Sequence, residues 1–154
     1  MRLGGAVRTA WTREEAPSAM EKAPIRRRIL VIDHDNDVRA FLCDRLSTLG
    51  FEVAAEDNGT SGLSRITDGR DSAPFHGVLV ELQMPVLDGL AVLREIHARF
   101  PTIPVIVMSD SIHVGKLRQA MTAGAKEYLV KPFDPELFRR KCVNVFLDGK
   151  ELTR

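Results

Sequence analysis

From residue 29 onward, short apolar runs alternate with stretches of helical period, and this alternation limits the fold more than any other property of the chain. Ile29-Leu30-Val31-Ile32 is apolar at every position, so the strand it predicts must be covered on both faces. Val38, Phe41, Leu42, Leu46 and Leu49 then recur at helical spacing until Gly50 stops the helix. The same pair of signals keeps returning. Residues 51–55 predict a second, weaker strand and residues 60–68 a short helix with Leu63 and Ile66 inward; after a long loop over 69–76, residues 78–82 predict a third strand. Leu90, Val92, Leu93, Ile96 and Phe100 mark a third helix, and residues 103–108 a fourth strand whose Pro104 lies near the start, where its missing N–H is tolerated. Val114, Leu117, Ala120 and Met121 mark a fourth helix closed by Gly124, Tyr128-Leu129-Val130 a fifth strand, and Pro135 opens a fifth helix lined by Leu137, Phe138, Cys142, Val143 and Phe146. Strands apolar on both sides and separated by helices require a parallel sheet with right-handed crossovers. The expected fold is therefore α/β, a doubly wound (βα)5 sandwich around a five-stranded parallel sheet.

Composition closes off several alternatives. A chain of 154 residues with 44% hydrophobic and 28% charged residues has enough apolar surface for one globular core. Lys plus Arg total 22 against 21 for Asp plus Glu, so no charge excess points to nucleic acid or to an anionic membrane. No apolar run approaches the roughly 20 residues of a membrane helix, and the N-terminus lacks the apolar centre of a signal peptide, so a cytoplasmic location is expected. Cys43 and Cys142 fall in predicted helices without CxxC spacing and read as reduced structural thiols. Residues 1–25 mix Gly4-Gly5, Pro17 and Pro24 with scattered charges and predict a flexible leader, with Trp11 as a weak docking handle. Met20 is an alternative start that would make residues 1–19 a mis-called upstream segment. The folded domain is expected over 26–148, with a short tail over 149–154.

In such a sheet, chemistry collects beyond the carboxyl ends of the strands, near the point where strand order reverses. Here the first strand ends in Asp33-His34-Asp35, the third in Glu81, the fourth in Ser109-Asp110 and the fifth in Lys131-Pro132. No glycine-rich turn follows the first strand, so neither a dinucleotide fingerprint nor a Walker A loop is present. Asp33-x-Asp35-x-Asp37 imitates the start of a calcium loop but has Val38 where that loop needs glycine. Carboxylates, a hydroxyl and an ammonium remain, an inventory suited to a divalent cation and a phosphoryl group.

Four segments then carry a resemblance: Ile29-Leu30-Val31-Ile32-Asp33, Met84-Pro85-Val86-Leu87-Asp88-Gly89, Val105-Ile106-Val107-Met108-Ser109, and the run from Ala123 to Phe133. In these, residues 28–147 resemble the receiver domain of bacterial two-component response regulators and are similar to the stand-alone chemotaxis type, with its flavodoxin-like fold. The resemblance implies a switch in which an aspartate ending the third strand takes phosphate from a histidine kinase, with magnesium held by an acidic pair ending the first strand. It implies that Ser109 and Lys131 engage the phosphoryl oxygens, that Pro132 is cis, and that Tyr128 is the aromatic that turns inward on activation. It also implies a docking or dimerisation face made by the fourth helix, fifth strand and fifth helix, here bearing Lys116, Arg118, Gln119, Lys126, Glu127, Arg139 and Arg140.

Two positions depart from that pattern. Glu81 stands where the phosphoacceptor aspartate would be, and His34 replaces an acid of the metal-binding pair. The extra methylene moves the carboxylate about 1.5 Å outward, and in-line transfer depends on tight placement. Imidazole is a poor ligand for magnesium, which prefers oxygen, so magnesium at Asp33 and Glu81 is expected to be weak or absent and no cofactor is required. Zinc is not expected either, because His34 and Asp33 alone fall short of the usual three or four ligands, and His76, His97 and His113 have no spacing to complete the set. Glu81 is expected to pair with Lys131, with Ser109 also within reach. The main expectation is a non-enzymatic, phosphorylation-independent signalling module acting through protein contacts, either locked in an active-like state by Glu81 or inert. The alternative is a working phosphorelay receiver that uses Glu81, or Asp35 as a displaced acceptor, with magnesium and a histidine kinase. A metal-dependent hydrolase is disfavoured, since no general base is placed for a substrate.

Overall fold

In the computed structural model, residues 26–69, 71, 73–110 and 114–147 are described; the predicted leader, the alternative start at Met20, Trp11, His113 and the tail lie outside them. Five strands and five helices alternate: β1 (Arg28–Ile32), α1 (Asn36–Thr48), β2 (Glu52–Glu56), α2 (Gly59–Thr67), β3 (Gly77–Glu81), α3 (Gly89–Arg99), β4 (Val105–Ser109), α4 (Val114–Thr122), β5 (Glu127–Val130) and α5 (Pro135–Phe146). All strand pairs are parallel and the order is β2-β1-β3-β4-β5. Strand order therefore reverses between β1 and β3.

Alternation along the strands separates two cores. Leu30, Ile32, Val78, Val80, Val105 and Val107 face one way, packing against Val92, Leu93, Ile96 and Ala120 of α3 and α4. Ile29, Val31, Leu79, Ile106, Met108 and Leu129 face the other way, against Leu42 and Leu46 of α1 and Phe138, Cys142 and Phe146 of α5. The sheet is thus covered on both sides, as its apolar runs require.

The termini of the helices are set by side chains. Asp35, Asn58, Asp88 and Asp134 cap α1, α2, α3 and α5, each accepting from backbone N–H groups of the first turn. Pro135 follows Asp134 at the first position of α5, where no N–H is needed. Several expected boundaries move by a residue or two. β3 begins at Gly77, because a Cβ there would stand 2.4 Å from Phe146 and only glycine lets the strand pass. β4 begins after Pro104, whose carbonyl accepts from Val78 N–H at 3.0 Å although its ring nitrogen can donate to nothing.

Candidate functional site

Register brings the candidate side chains together. Ile32 pairs with Val80, Val80 with Val107, and Ser109 with Val130, so Asp33, Glu81, Ser109 and Lys131 leave the sheet at one level, beside the reversal between β1 and β3. Asp33, Glu81 and Ser109 are buried, with relative exposures of 0%, 0% and 2%. Pro132, exposed at the rim, follows Lys131 through a cis peptide bond.

One ammonium holds two carboxylates at the centre. Lys131 Nζ donates to Asp33 Oδ2 at 2.8 Å and also to Glu81 Oε2. The Asp33–Lys131 contact was not anticipated from sequence, where only Glu81 was paired with the lysine; a separation of 98 positions leaves no local signal for it. Asp33 is held further by Asp35 N–H, which donates to its Oδ1 at 2.9 Å, while its carbonyl accepts from Arg39 Nη1 at 2.7 Å. Glu81 Oε1 is buried and has no hydrogen-bond partner among the described residues.

Charge and burial oppose each other here. With Asp33, Glu81 and Lys131 all ionised, two negative charges face one positive charge. Burial pushes the Glu81 carboxyl above its ordinary value; Lys131 pulls it down, and the nearby Asp33 and Asp110 push it up again. Lys131 is also raised: burial works against its charge, but the hydrogen bonds from its ammonium to Asp33 and Glu81 outweigh that.

The rim residues sit differently. His34 is exposed, its Nδ1 4.0 Å from Asp33 Oδ1. Asp35 turns away from the carboxylate pair to cap α1, its Oδ1 accepting from Asp37 N–H at 2.8 Å and Val38 N–H at 3.2 Å. Those two bonds lower its carboxyl below the ordinary value. One donor atom from each of Asp33, His34 and Glu81 lies within 4.8 Å of the other two.

Tyr128 points outward and is 36% exposed. Lys141 of α5 holds it there: its Nζ donates to Tyr128 O at 2.7 Å, lies 4.4 Å from the centre of the Tyr128 ring and pairs with Glu127 Oε1 at 3.0 Å. Lys141 is a residue that sequence reasoning missed, since its neighbours on the helix show only the apolar face. Lys116, Arg118, Gln119, Lys126, Arg139 and Arg140 are exposed, and Glu127 is half-buried under Lys141. His76 is engaged elsewhere, its Nδ1 accepting from Arg28 N–H at 2.9 Å.

A parallel five-stranded sheet of order 2-1-3-4-5, with acidic residues and a lysine gathered at its reversal point, is the arrangement expected of receivers. A family profile described as the response regulator receiver domain matches residues 29–142. The chain belongs to that family. Among curated proteins, the receiver is 40% identical over 106 residues to the transcriptional regulatory protein PrrA of Mycobacterium tuberculosis, covering 69% of this chain and 44% of that protein. It is 33% identical over 107 residues to the regulatory protein AtoC of Escherichia coli, covering 70% of this chain and 22% of that one. The chain spans less than half the length of these curated relatives. A receiver domain protein from Clostridium thermocellum superposes with a TM-score of 0.72 at 30% identity, covering 82% of this chain and 98% of that chain. A CheY-like receiver from Methanospirillum hungatei shares the fold, with a TM-score of 0.73 at 24% identity, covering 84% of this chain and all of that one. Among the described residues, no helix of this receiver is long and apolar enough to cross a membrane.

Proposed function

We propose that this receiver signals without taking up phosphate, as a protein-contact module of a two-component system in which Glu81 and Lys131 close the site that a phosphodonor would enter. The observation that carries this reading is the double hold of Lys131. Its ammonium is bound at once to Asp33 and Glu81, and the Glu81 side chain is 1% exposed. A nucleophilic carboxylate needs an open, in-line approach, and Glu81 offers none. Magnesium finds a poor donor set here, because His34 presents nitrogen to a cation that prefers oxygen and Lys131 already occupies one oxygen of each carboxylate. Asp35 is no better as a displaced acceptor, its Oδ1 being turned to the α1 cap.

Of the two states open to such a module, the geometry favours a filled site over a driven one. In support of this, the Glu81 carboxylate coexists with an outward Tyr128 under the Lys141 ammonium. Output then passes through the exposed face of α4, β5 and α5, toward an effector, a histidine kinase or a second copy, and no catalytic turnover is involved.

Incubation with acetyl phosphate and Mg2+, followed by intact-mass measurement, tests this reading. The wild type and Glu81→Asp are expected to stay unmodified, while Glu81→Asp combined with His34→Asp gains one phosphoryl group. Stoichiometric uptake by the wild type overturns the proposal.

A further inference from the structure

A cleft opens beside the crevice, between α1 and the turn that follows β5. Its volume, about 500 Å3, is that of a small-molecule pocket. The floor is aromatic and held from below. The Phe41 and Phe133 rings stack with 11° between their planes and 6.1 Å between their centres, and both lie against the buried Phe138, at 6.4 and 5.6 Å. Phe41 is nonetheless 36% exposed, so part of this floor is open to a ligand, and Val38 and Pro132 extend it. Charge is confined to the edges. Asp37 in the first turn of α1 and Asp110 just after β4 are exposed and line the same cleft, and neither carboxylate forms an ion pair among the described residues. Lys131 also lines the cleft, but its ammonium is bound to Asp33 and Glu81.

We propose that this cleft is a binding site for a small aromatic cation, a planar ring carrying an ammonium or guanidinium group. The ring follows from the floor: an aromatic face gains contacts against Phe41 and Phe133 that an aliphatic chain of equal size does not. The sign of the charge follows from the rim. The carboxylates of Asp33, Asp37, Glu81 and Asp110 gather around the one ammonium of Lys131, so an anion is repelled and a cation is drawn in. Arg45 shows that this floor accepts a cation, its guanidinium carbon lying 5.4 Å from the centre of the Phe41 ring. A ligand seated in the cleft lies beside Lys131 and gives the receiver an input that needs no phosphodonor. The inference goes beyond the phosphate reading and is independent of it, because Asp37, Phe41, Asp110 and Phe133 take no part in that reading.

Untagged full-length protein titrated with tryptamine and followed by amide NMR shifts tests the site, with indolepropionate as the same ring bearing the opposite charge. Tryptamine is expected to saturate one site in the millimolar range, with the largest shifts at Val38, Phe41 and Phe133, and indolepropionate to bind roughly tenfold more weakly or not at all. Phe133→Ala weakens tryptamine binding roughly fivefold or more. Asp37→Asn combined with Asp110→Asn weakens it roughly threefold or more, while Lys116→Ala on α4 leaves it unchanged. Both aspartates are exposed, so the double variant is expected to fold even where Phe133→Ala does not, and circular dichroism checks each. Absence of saturable binding, equal binding of the two probes, or full affinity in the double variant overturns the proposal. So does a Lys-Trp-Lys peptide that binds where tryptamine does not, since the cleft then belongs to a protein segment. No phosphodonor is present in this experiment, so its failure leaves the phosphate reading intact, and phosphate uptake leaves the cleft reading intact.

Discussion

Glu81 is a charged residue in a place with too few partners for it. Lys131 satisfies one oxygen and burial strands the other, so the carboxyl binds a proton more tightly in the folded protein than in the unfolded chain. A raised folded value has a definite sign: its stabilising contribution is complete below the unfolded value near 4.5 and is lost as pH rises through the higher folded one. Glu81→Gln removes this dependence while leaving Asp33 to hold Lys131. Comparing melting temperatures at about pH 5 and about pH 8, we expect the difference between wild type and Glu81→Gln to move in favour of the wild type at the lower pH. A difference that moves the other way would show that pairing with Lys131 outweighs burial. At this scale the sequence placed Glu81, Asp33 and Lys131 at strand ends and paired Glu81 with Lys131, whereas the sharing of one ammonium between two carboxylates depends on side-chain directions fixed only by packing.

The elements that bear on the proposed output are β5 and α5. Lys141 ties the start of β5 to the middle of α5 through a carbonyl, a carboxylate and an aromatic ring, and so keeps Tyr128 outside. Tyr128 is the only tyrosine in the chain, so incorporated fluorotyrosine gives a single 19F resonance. We expect one narrow signal in the wild type and a shifted or exchange-broadened one in Lys141→Ala, as the ring gains access to other rotamers. An unchanged spectrum would assign the outward position to the strand itself. Elements were legible to the degree that their periods were strong. β1 is a run of apolar residues and was read to its end, while β2, with Glu52 and Glu56 at its termini, was read one residue early because its polar ends resemble loop. The Lys141 contact spans 13 positions and two element types, and no periodicity encodes such a pair.

At the scale of the whole molecule, one sheet is shared by two cores, so damage to either face is felt as a single cooperative transition. Gly89 shows how closely the site is built into that unit. A Cβ there would lie 2.1 Å from the Glu81 carbonyl oxygen and 2.7 Å from its carbon, contacts with backbone that cannot swing aside. Gly89→Ala is expected to lower stability by roughly 2–3 kcal/mol in urea denaturation, with one transition and an unchanged slope; a loss below about 0.5 kcal/mol would mean that α3 can slide away from the strand end. The layered architecture was legible because β1, β3 and β4 are apolar on both faces, and the order of strands was not, since periodicity does not say which strand lies beside which. The shared hold on Lys131 has a consequence in time as well as in space. A negative charge that belongs to a side chain lasts as long as the polypeptide, whereas a transferred phosphoryl group can be added and removed repeatedly. If the receiver signals without phosphate as proposed, the cell sets the dose by synthesis and degradation, and the quantity to follow in vivo is the number of copies per cell.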